Sequence, residues 1–187
     1  HDTMVPNLAR DRTIGLLGLG ALGSACALKL RELNFNVQGW SRTKKKIPNI
    51  ECLSGDKGFD KVLKTSDILI LLLPLTDKTK YILNSKTLAK VKKGTFIINA
   101  GRGSLIDDEA LISFIDKGTV AAATLDVFSK EPLPSSHIFW EHANVTVTPH
   151  IAAETRPQTS SKSIAENIFR SENGLGLLNL VDRVEGY

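Results

Sequence analysis

Arg102, Asp126, Glu131 and His150 are the side chains best suited to chemistry in this 187-residue sequence, although they are spread over nearly fifty positions. Arg102, Asp126 and His150 each end or follow an apolar run, namely Thr95 to Asn99, Val120 to Asp126 and Val145 to Thr148, and Glu131 lies in the loop beyond the second run. Short apolar runs bounded by turn residues read as buried strands. If those strands are parallel, their carboxyl ends share one rim and the four residues meet there. That set suits reduction of a carbonyl. Hydride reaching a carbonyl carbon leaves charge on oxygen, which needs a proton donor titrating near neutrality, and histidine is the obvious supplier. A carboxylate at Glu131 would orient the imidazole and favour its protonated form. Arg102 would take a substrate carboxylate through its planar fork while polarising the neighbouring carbonyl. Each residue also has a plainer use: Arg102 bracing the turn Asn99-Ala-Gly-Arg-Gly103, Asp126 tying down a loop, and His150 packing at a strand end behind Pro149.

A second constellation lies near the start of the chain. Gly18-Leu-Gly-Ala-Leu-Gly23 follows an apolar strand and opens a helical pattern. In that frame Gly18 permits the tight turn, Gly20 lets backbone approach a pyrophosphate, and Gly23 lets helix and strand pack closely. Ala21 and Leu22 share the turn, whose N–H groups at the helix start would face phosphate oxygens. A glycine turn without a ligand is the bland alternative; a triphosphate loop is disfavoured because the Gly-Lys-Ser/Thr ending is missing. About twenty residues on, an acid would favour the ribose hydroxyl of NAD, and an arginine the 2′-phosphate of NADP. The sequence there is Trp40-Ser-Arg-Thr-Lys44, with no acid. Arg42 can grip phosphate, Ser41 or Thr43 can offer a hydroxyl, and Lys44 can add positive field. NADP is therefore the expected cofactor, with NAD possible. The basic run Arg42, Lys44, Lys45 and Lys46 then has a use beyond a solvated loop or a weak nucleic-acid patch. No nucleic-acid module is recognisable, and no nucleic-acid partner is expected.

Composition sets the frame for these sites. Hydrophobic residues make up 42%, charged residues 24%, and the net charge is +4, as in an ordinary globular protein. The longest apolar runs, Ile14 to Leu22 and Ile68 to Pro74, are too short to span a bilayer. No signal-peptide pattern opens the chain, so no membrane partner and a cytoplasmic location are expected. Cys26 and Cys52 are the two cysteines; Cys26 reads as a small buried thiol in a helix, in a reducing compartment without disulfides. His1, His137 and His142 show no persuasive metal-ligand spacing. There is neither a nucleophile elbow nor a CxxC pair, which argues against hydrolytic and thiol-redox chemistry.

The elements that must position these residues alternate. Strands are expected at Thr13 to Gly18, Asn36 to Trp40, Asp67 to Leu73, Thr95 to Asn99, Val120 to Asp126 and Val145 to Thr148. Helices are expected at Ala21 to Leu33, Phe59 to Lys64, Ser85 to Val91, Asp107 to Lys117 and Thr159 to Glu172. Leu22, Ala25, Leu28, Lys29 and Leu33 mark the packing face of the first helix, and Ile164, Ile168 and Phe169 the apolar positions of the last. Lys45 to Gly58 reads as loop with at most a short strand at Glu51 to Leu53, and Phe128 to Ala143 as a long loop with a short turn at His137 to Glu141. Strands this apolar call for cover on both faces. The fold class is thus α/β, a Rossmann-type three-layer domain with a mostly parallel sheet. The chain divides into a lead-in over 1–12, a dinucleotide-binding domain over 13–172 and a return over 173–187.

These residues also carry a family likeness. Gly18-Leu-Gly-Ala-Leu-Gly23, Trp40-Ser-Arg42, Leu72-Leu-Pro-Leu-Thr76, Asn99-Ala-Gly-Arg-Gly103, Leu125-Asp-Val-Phe128 with Glu131-Pro-Leu-Pro134, Thr148-Pro-His-Ile-Ala-Ala153 and Val181-Asp-Arg-Val-Glu-Gly-Tyr187 cover nearly the whole chain. Together they resemble the cofactor-binding part of the D-isomer-specific 2-hydroxyacid dehydrogenases, most closely the glyoxylate/hydroxypyruvate reductase A branch. The resemblance implies a carboxylate-binding Arg102, a histidine-orienting Glu131 and an acid/base at His150. It implies that Asp126 meets the nicotinamide side and Pro74 the adenosine region, with Leu73, Thr79, Ala100, Gly101, Arg102, His150 and Ala152 as further cofactor contacts. The implied activity is NADPH-dependent reduction of a small 2-oxo acid such as glyoxylate or hydroxypyruvate, in a homodimer joined through the cofactor domains. Members of the family build a substrate domain mainly from a segment preceding the glycine strand, and this sequence does not contain that segment. The expectation is therefore a chain that binds cofactor but turns over little, with a loosely docked return from about Asn173. A nucleotide-sensing interaction module, as in dehydrogenase-like corepressors, is the alternative; Arg102, Glu131 and His150 argue against it.

Overall fold

The computed structural model describes residues 7–183; the start of the lead-in and the last four residues of the Val181–Tyr187 match lie outside them. Among the described residues, seven strands form one sheet: β1 Thr13–Leu17, β2 Asn36–Trp40, β3 Glu51–Leu53, β4 Ile68–Leu71, β5 Thr95–Asn99, β6 Val120–Leu125 and β7 Val145–Val147. Their order is β3-β2-β1-β4-β5-β6-β7, and every pairing is parallel. The expected Rossmann-type α/β architecture is what the chain adopts.

Alternation along the central strands sorts their side chains into two cores. Ile14 and Leu16 of β1 and Ile70 of β4 join one cluster with Val37 and Ala27. Leu17 of β1 and Leu69 and Leu71 of β4 join the other. Helix α1, Ala21–Glu32, covers the first cluster, while α2 Gly55–Thr65 and α4 Asp108–Asp116 supply Val62, Leu63, Leu111 and Ile115 to the second. Side chains of period two on β1 and β4 thus face opposite layers, the reason both strands read as continuous apolar runs. Cover is uneven: α1 packs on β1 and β2, and Phe96 of β5 remains 46% exposed.

Helix α1 departs from its expected packing face. Gly23 and Ala27 are its buried residues, with Cys26 and Leu30 packed partly against the same core; Leu22, Leu28 and Leu33 are exposed. The cause is proximity to the sheet. A Cβ at Gly23 would lie 1.8 Å from the Gly18 carbonyl oxygen, so the contact face is made of small residues and the leucines fall on the far side. Cys26 is accordingly half-buried rather than buried, and that burial pushes its thiol pKa up.

Helix α2 begins at Gly55, inside the stretch expected to be loop, because Gly55 takes the left-handed conformation (φ 66°) that turns the chain out of β3. The third helix, α3 Ser85–Leu88, is one turn fixed by a capping box between Asn84 and Thr87, shorter than its apolar pattern suggests. Asp107 caps α4 by accepting from the Ala110 N–H at 3.1 Å. The last helix, α5 Pro157–Glu172, starts two residues early, with Pro157 in its first turn. It buries no residue. Asn167 grips the Leu178 backbone through both its amide oxygen and nitrogen, and Arg170 donates to the Gly176 carbonyl, so the return is tied to α5 while Ile164, Ile168 and Phe169 face outward.

Candidate active site

Parallel strands place the residues following β1, β2, β4, β5, β6 and β7 along one edge of the sheet. The order reverses between β1 and β4, which opens the crevice where doubly wound sheets receive ligands. The glycine turn stands at that crevice. Gly18 has φ 109°, and a Cβ there would approach the Leu72 carbonyl oxygen to 2.6 Å; only glycine fits. Gly20, by contrast, has nothing within 4 Å of an added Cβ. It is the N-cap of α1 and offers no side-chain cap, so the helix presents N–H donors beneath open space. A pyrophosphate fits that cradle by charge and by clearance.

Beside it is a cavity of about 510 Å³. Its walls include Gly20, Ser41, Arg42, Thr43, Leu73, Pro74 and Thr79, seven of the positions singled out from sequence, and also Leu19, Trp40, Lys45, Leu72 and Thr76. Lys45, Asp77 and Lys78 are also on the wall, and Lys44 is not. Two hydroxyls on this wall also shape their own loops: Ser41 Oγ donates to the Thr43 carbonyl at 2.8 Å, and Thr79 Oγ1 donates to the Pro74 carbonyl at 2.7 Å. Trp40 closes the wall by donating from Nε1 to the Gly55 carbonyl and packing its ring 5.1 Å from that of Phe59.

The reactive side chains assemble further along the edge. His150 Nδ1 lies 2.8 Å from Glu131 Oε2, and Glu131 Oε1 accepts from the Phe128 N–H at 2.8 Å. The bond with His150 holds the Glu131 carboxyl below its ordinary range against partial burial, helped by the Phe128 N–H and the positive field of Arg102. Buried Asn99 forms the turn after β5, accepting from the Gly101 N–H and donating to the Arg102 carbonyl. Arg102 itself is exposed, with Nη1 donating to the Gly101 carbonyl. Asp126, only 5% exposed, turns its carboxylate onto the segment after β7: it accepts from Thr148 Oγ1 and the Ile151 N–H at one oxygen, and from the Ala152 N–H at the other. Burial pushes Asp126 up, but these bonds and the nearby His150 outweigh it and leave the carboxyl below its usual range.

The sequence profile of the D-isomer specific 2-hydroxyacid dehydrogenase NAD binding domain matches residues 1–152. This chain belongs to the D-isomer-specific 2-hydroxyacid dehydrogenase family. It is 43% identical over 175 residues to glyoxylate/hydroxypyruvate reductase A of Yersinia enterocolitica, covering 94% of this chain and 56% of that protein. With the same-named protein of Serratia proteamaculans it shares 42% over 182 residues, 97% of this chain and 58% of the other. The dehydrogenase of Xanthobacter autotrophicus, solved with NADPH and MES, superposes with a TM-score of 0.95 at 43% identity, over 98% of this chain and 76% of that one. The NADPH-dependent glyoxylate/hydroxypyruvate reductase of Sinorhizobium meliloti, solved with NADP and sulfate, gives 0.94 at 38% identity, over 98% and 60%. The chain therefore spans between 56% and 58% of the length of these two curated relatives.

On this 2-hydroxyacid dehydrogenase domain the expected site residues fall into two groups. Gly18, Gly20, Ala21, Leu22 and Gly23 belong to the glycine turn and the start of α1, next to the cavity. Ala100, Gly101, Arg102, Asp126, Glu131, His150 and Ala152 follow the neighbouring strands. Three participants were not singled out. Thr148 and the Phe128 N–H are partners of the two carboxylates, and Gly103 lets the strand-5 turn pass the Phe128 backbone, which an added Cβ would meet at 1.9 Å. Gly103 and Thr148 lie within motifs visible in the sequence; what they touch is not. A separate cavity of about 550 Å³ between α4 and the Ile138–Trp140 turn contains none of these residues.

Proposed function

We propose that the chain is the cofactor half of an NADPH-dependent reductase acting on a small 2-oxo acid such as glyoxylate or hydroxypyruvate. The observation that carries the reading is the Glu131–His150 pair at 2.8 Å, on the same sheet edge as a cavity walled by Arg42 and Lys45. Solved relatives hold NADPH or NADP, and this chain has the cradle and basic wall that such a cofactor needs. Arg42, with Lys45, takes the 2′-phosphate; Ala21, Leu22 and Gly23 offer N–H groups to the pyrophosphate; Leu73 and Pro74 bound the adenosine region. The cofactor supplies the hydride. Arg102 takes the substrate carboxylate, and its charge stabilises negative charge gathering on the adjacent carbonyl oxygen. Glu131 occupies His150 Nδ1, which leaves Nε2 to present a proton to that oxygen.

His150 and Glu131 keep 49% and 36% of their side-chain surface exposed, so the described residues alone do not shield the reacting centre from water. The chain should therefore bind NADPH well and turn over slowly. A homodimer through the cofactor domains accompanies this reading, and sedimentation of the purified chain tests it.

Titration with both cofactors provides the central test. NADPH should bind more tightly than NADH, and Arg42→Glu should reverse the order, because a bidentate arginine–phosphate contact is exchanged for repulsion. Equal affinities in the unaltered chain, or an order that Arg42→Glu leaves alone, would remove the NADPH reading. Fast NADPH oxidation with glyoxylate would contradict slow turnover.

A further inference from the structure

His150 has a backbone conformation that its side chain disfavours: φ is 56°, in the left-handed region, which non-glycine residues enter only when surrounding structure compels them. Packing does not compel it. Pro149, His150, Ile151 and Ala152 are all exposed, so no core contact fixes the path of this turn. Hydrogen bonds do. After β7, the Thr148 N–H continues the ladder to the Leu125 carbonyl at 3.0 Å, and the His150 N–H folds back onto the Thr148 carbonyl at 3.1 Å. The next two N–H groups, of Ile151 and Ala152, converge on the two oxygens of Asp126 at 3.0 and 2.9 Å. Thr148 Oγ1 donates to the same carboxylate at 2.5 Å, and to the oxygen that also receives Ile151.

We infer that Thr148 is a positioning residue for His150: its hydroxyl anchors the buried Asp126 carboxylate, which holds the left-handed turn by its amides and so aims the imidazole at the reacting centre. The ring is thus fixed twice. Glu131, steadied by the Phe128 N–H, sets the orientation of the imidazole, and the Thr148–Asp126 pair sets where its Cα stands. A carboxylate free to rotate would lose one amide or the other, because Ile151 and Ala152 address different oxygens. Thr148 selects the rotamer that serves both.

The inference rests on the proposed reductase reading only in its kinetic arm. Thr148→Val removes the hydroxyl and keeps the shape; Thr148→Ser keeps the hydroxyl. Nitrogen-15 NMR of the whole chain should show the Ile151 and Ala152 amides losing hydrogen-exchange protection and the His150 ring signals changing in Thr148→Val, with both restored in Thr148→Ser. NADPH affinity should stay within about twofold. In glyoxylate reduction, kcat should fall at least tenfold with KM little changed, and Thr148→Ser should recover most of it. If Thr148→Val unfolds, Asp126→Asn provides the NMR readout, since its amide NH2 must confront one of the two backbone N–H groups; the NADPH criterion applies to the Thr148 variants alone. Unchanged amides and ring signals in either folded variant would overturn the inference. So would a drop in NADPH affinity as large as the drop in kcat. The reductase reading fails separately, by the cofactor titration with Arg42→Glu, and where the unaltered chain turns over too slowly to assay, the NMR arm decides the role of Thr148.

Discussion

His150 shows how one residue is constrained on two accounts, by the ring contact with Glu131 and by a left-handed backbone. The choice of replacement therefore matters. Asparagine tolerates this backbone better than other non-glycine residues and carries no titratable proton, whereas valine adds β-branched strain. His150→Asn should leave the fold and NADPH affinity intact and cut glyoxylate turnover by on the order of a hundredfold to ten-thousandfold, the usual worth of general acid catalysis. A variant that kept its turnover under steady-state assay would remove His150 from the proton-transfer role. The chemical types of Arg102, Glu131 and His150 were readable in the sequence because they follow apolar runs that could only be strands. The partners of Asp126 were not, since Thr148 and Asp126 are 22 positions apart and nothing in either residue type names the other.

At the scale of elements, strands were more legible than helices. A strand buried on both faces is apolar, as β4 is, and β2 and β5 occupy the residues expected for them although β2 buries Gln38 and β5 leaves Phe96 exposed. Helix α1 misled because close approach to β1 favours small residues: Gly23 and Ala27 touch the sheet, and the leucines that look like a core stripe do not. The start of α2 was hidden by Gly55, which reads as loop but serves as the hinge into the helix. Helix α5 has an apolar pattern without burial, so its residues and those of the core should respond differently to substitution. Ile168→Ser with Phe169→Ser should change the unfolding free energy by no more than about 0.5 kcal/mol, as surface changes do. Leu69→Ala, at a side chain with 0% exposure, should cost about 2–5 kcal/mol. Urea unfolding of the two variants checks the contrast; similar losses would show that α5 contributes to the cooperative core.

Across the whole molecule, acidic anchors tie loops to strand ends at both edges of the sheet. Asp126 does so at the carboxyl edge. At the other, Asp67 accepts from the Thr13 N–H at 2.8 Å and from Lys92 Nζ at 2.6 Å. Burial raises the Asp67 carboxyl, but those partners outweigh it, and its pKa, like that of Asp126, lies below the usual value. A depressed carboxyl stabilises the fold fully above its unfolded pKa of about 3.9 and ceases to do so as pH falls through the lower folded value. Stability should therefore decline as pH drops below about 4. Asp126→Asn should be less stable than the unaltered chain near neutrality, with the gap narrowing toward low pH. Denaturant titrations across that range measure it, and a gap independent of pH would mean that the charge of Asp126 contributes nothing. Seven parallel strands also give the molecule a direction. The glycine turn, Arg102 and His150 all follow strand ends at one edge, whereas Asp67, Lys92 and the Gln38–Ser66 contact lie toward the other. A surface tether placed through that quiet edge would display every molecule with its reactive edge outward, so the parallel sheet acts as a built-in compass for immobilising the domain on an electrode or sensor chip.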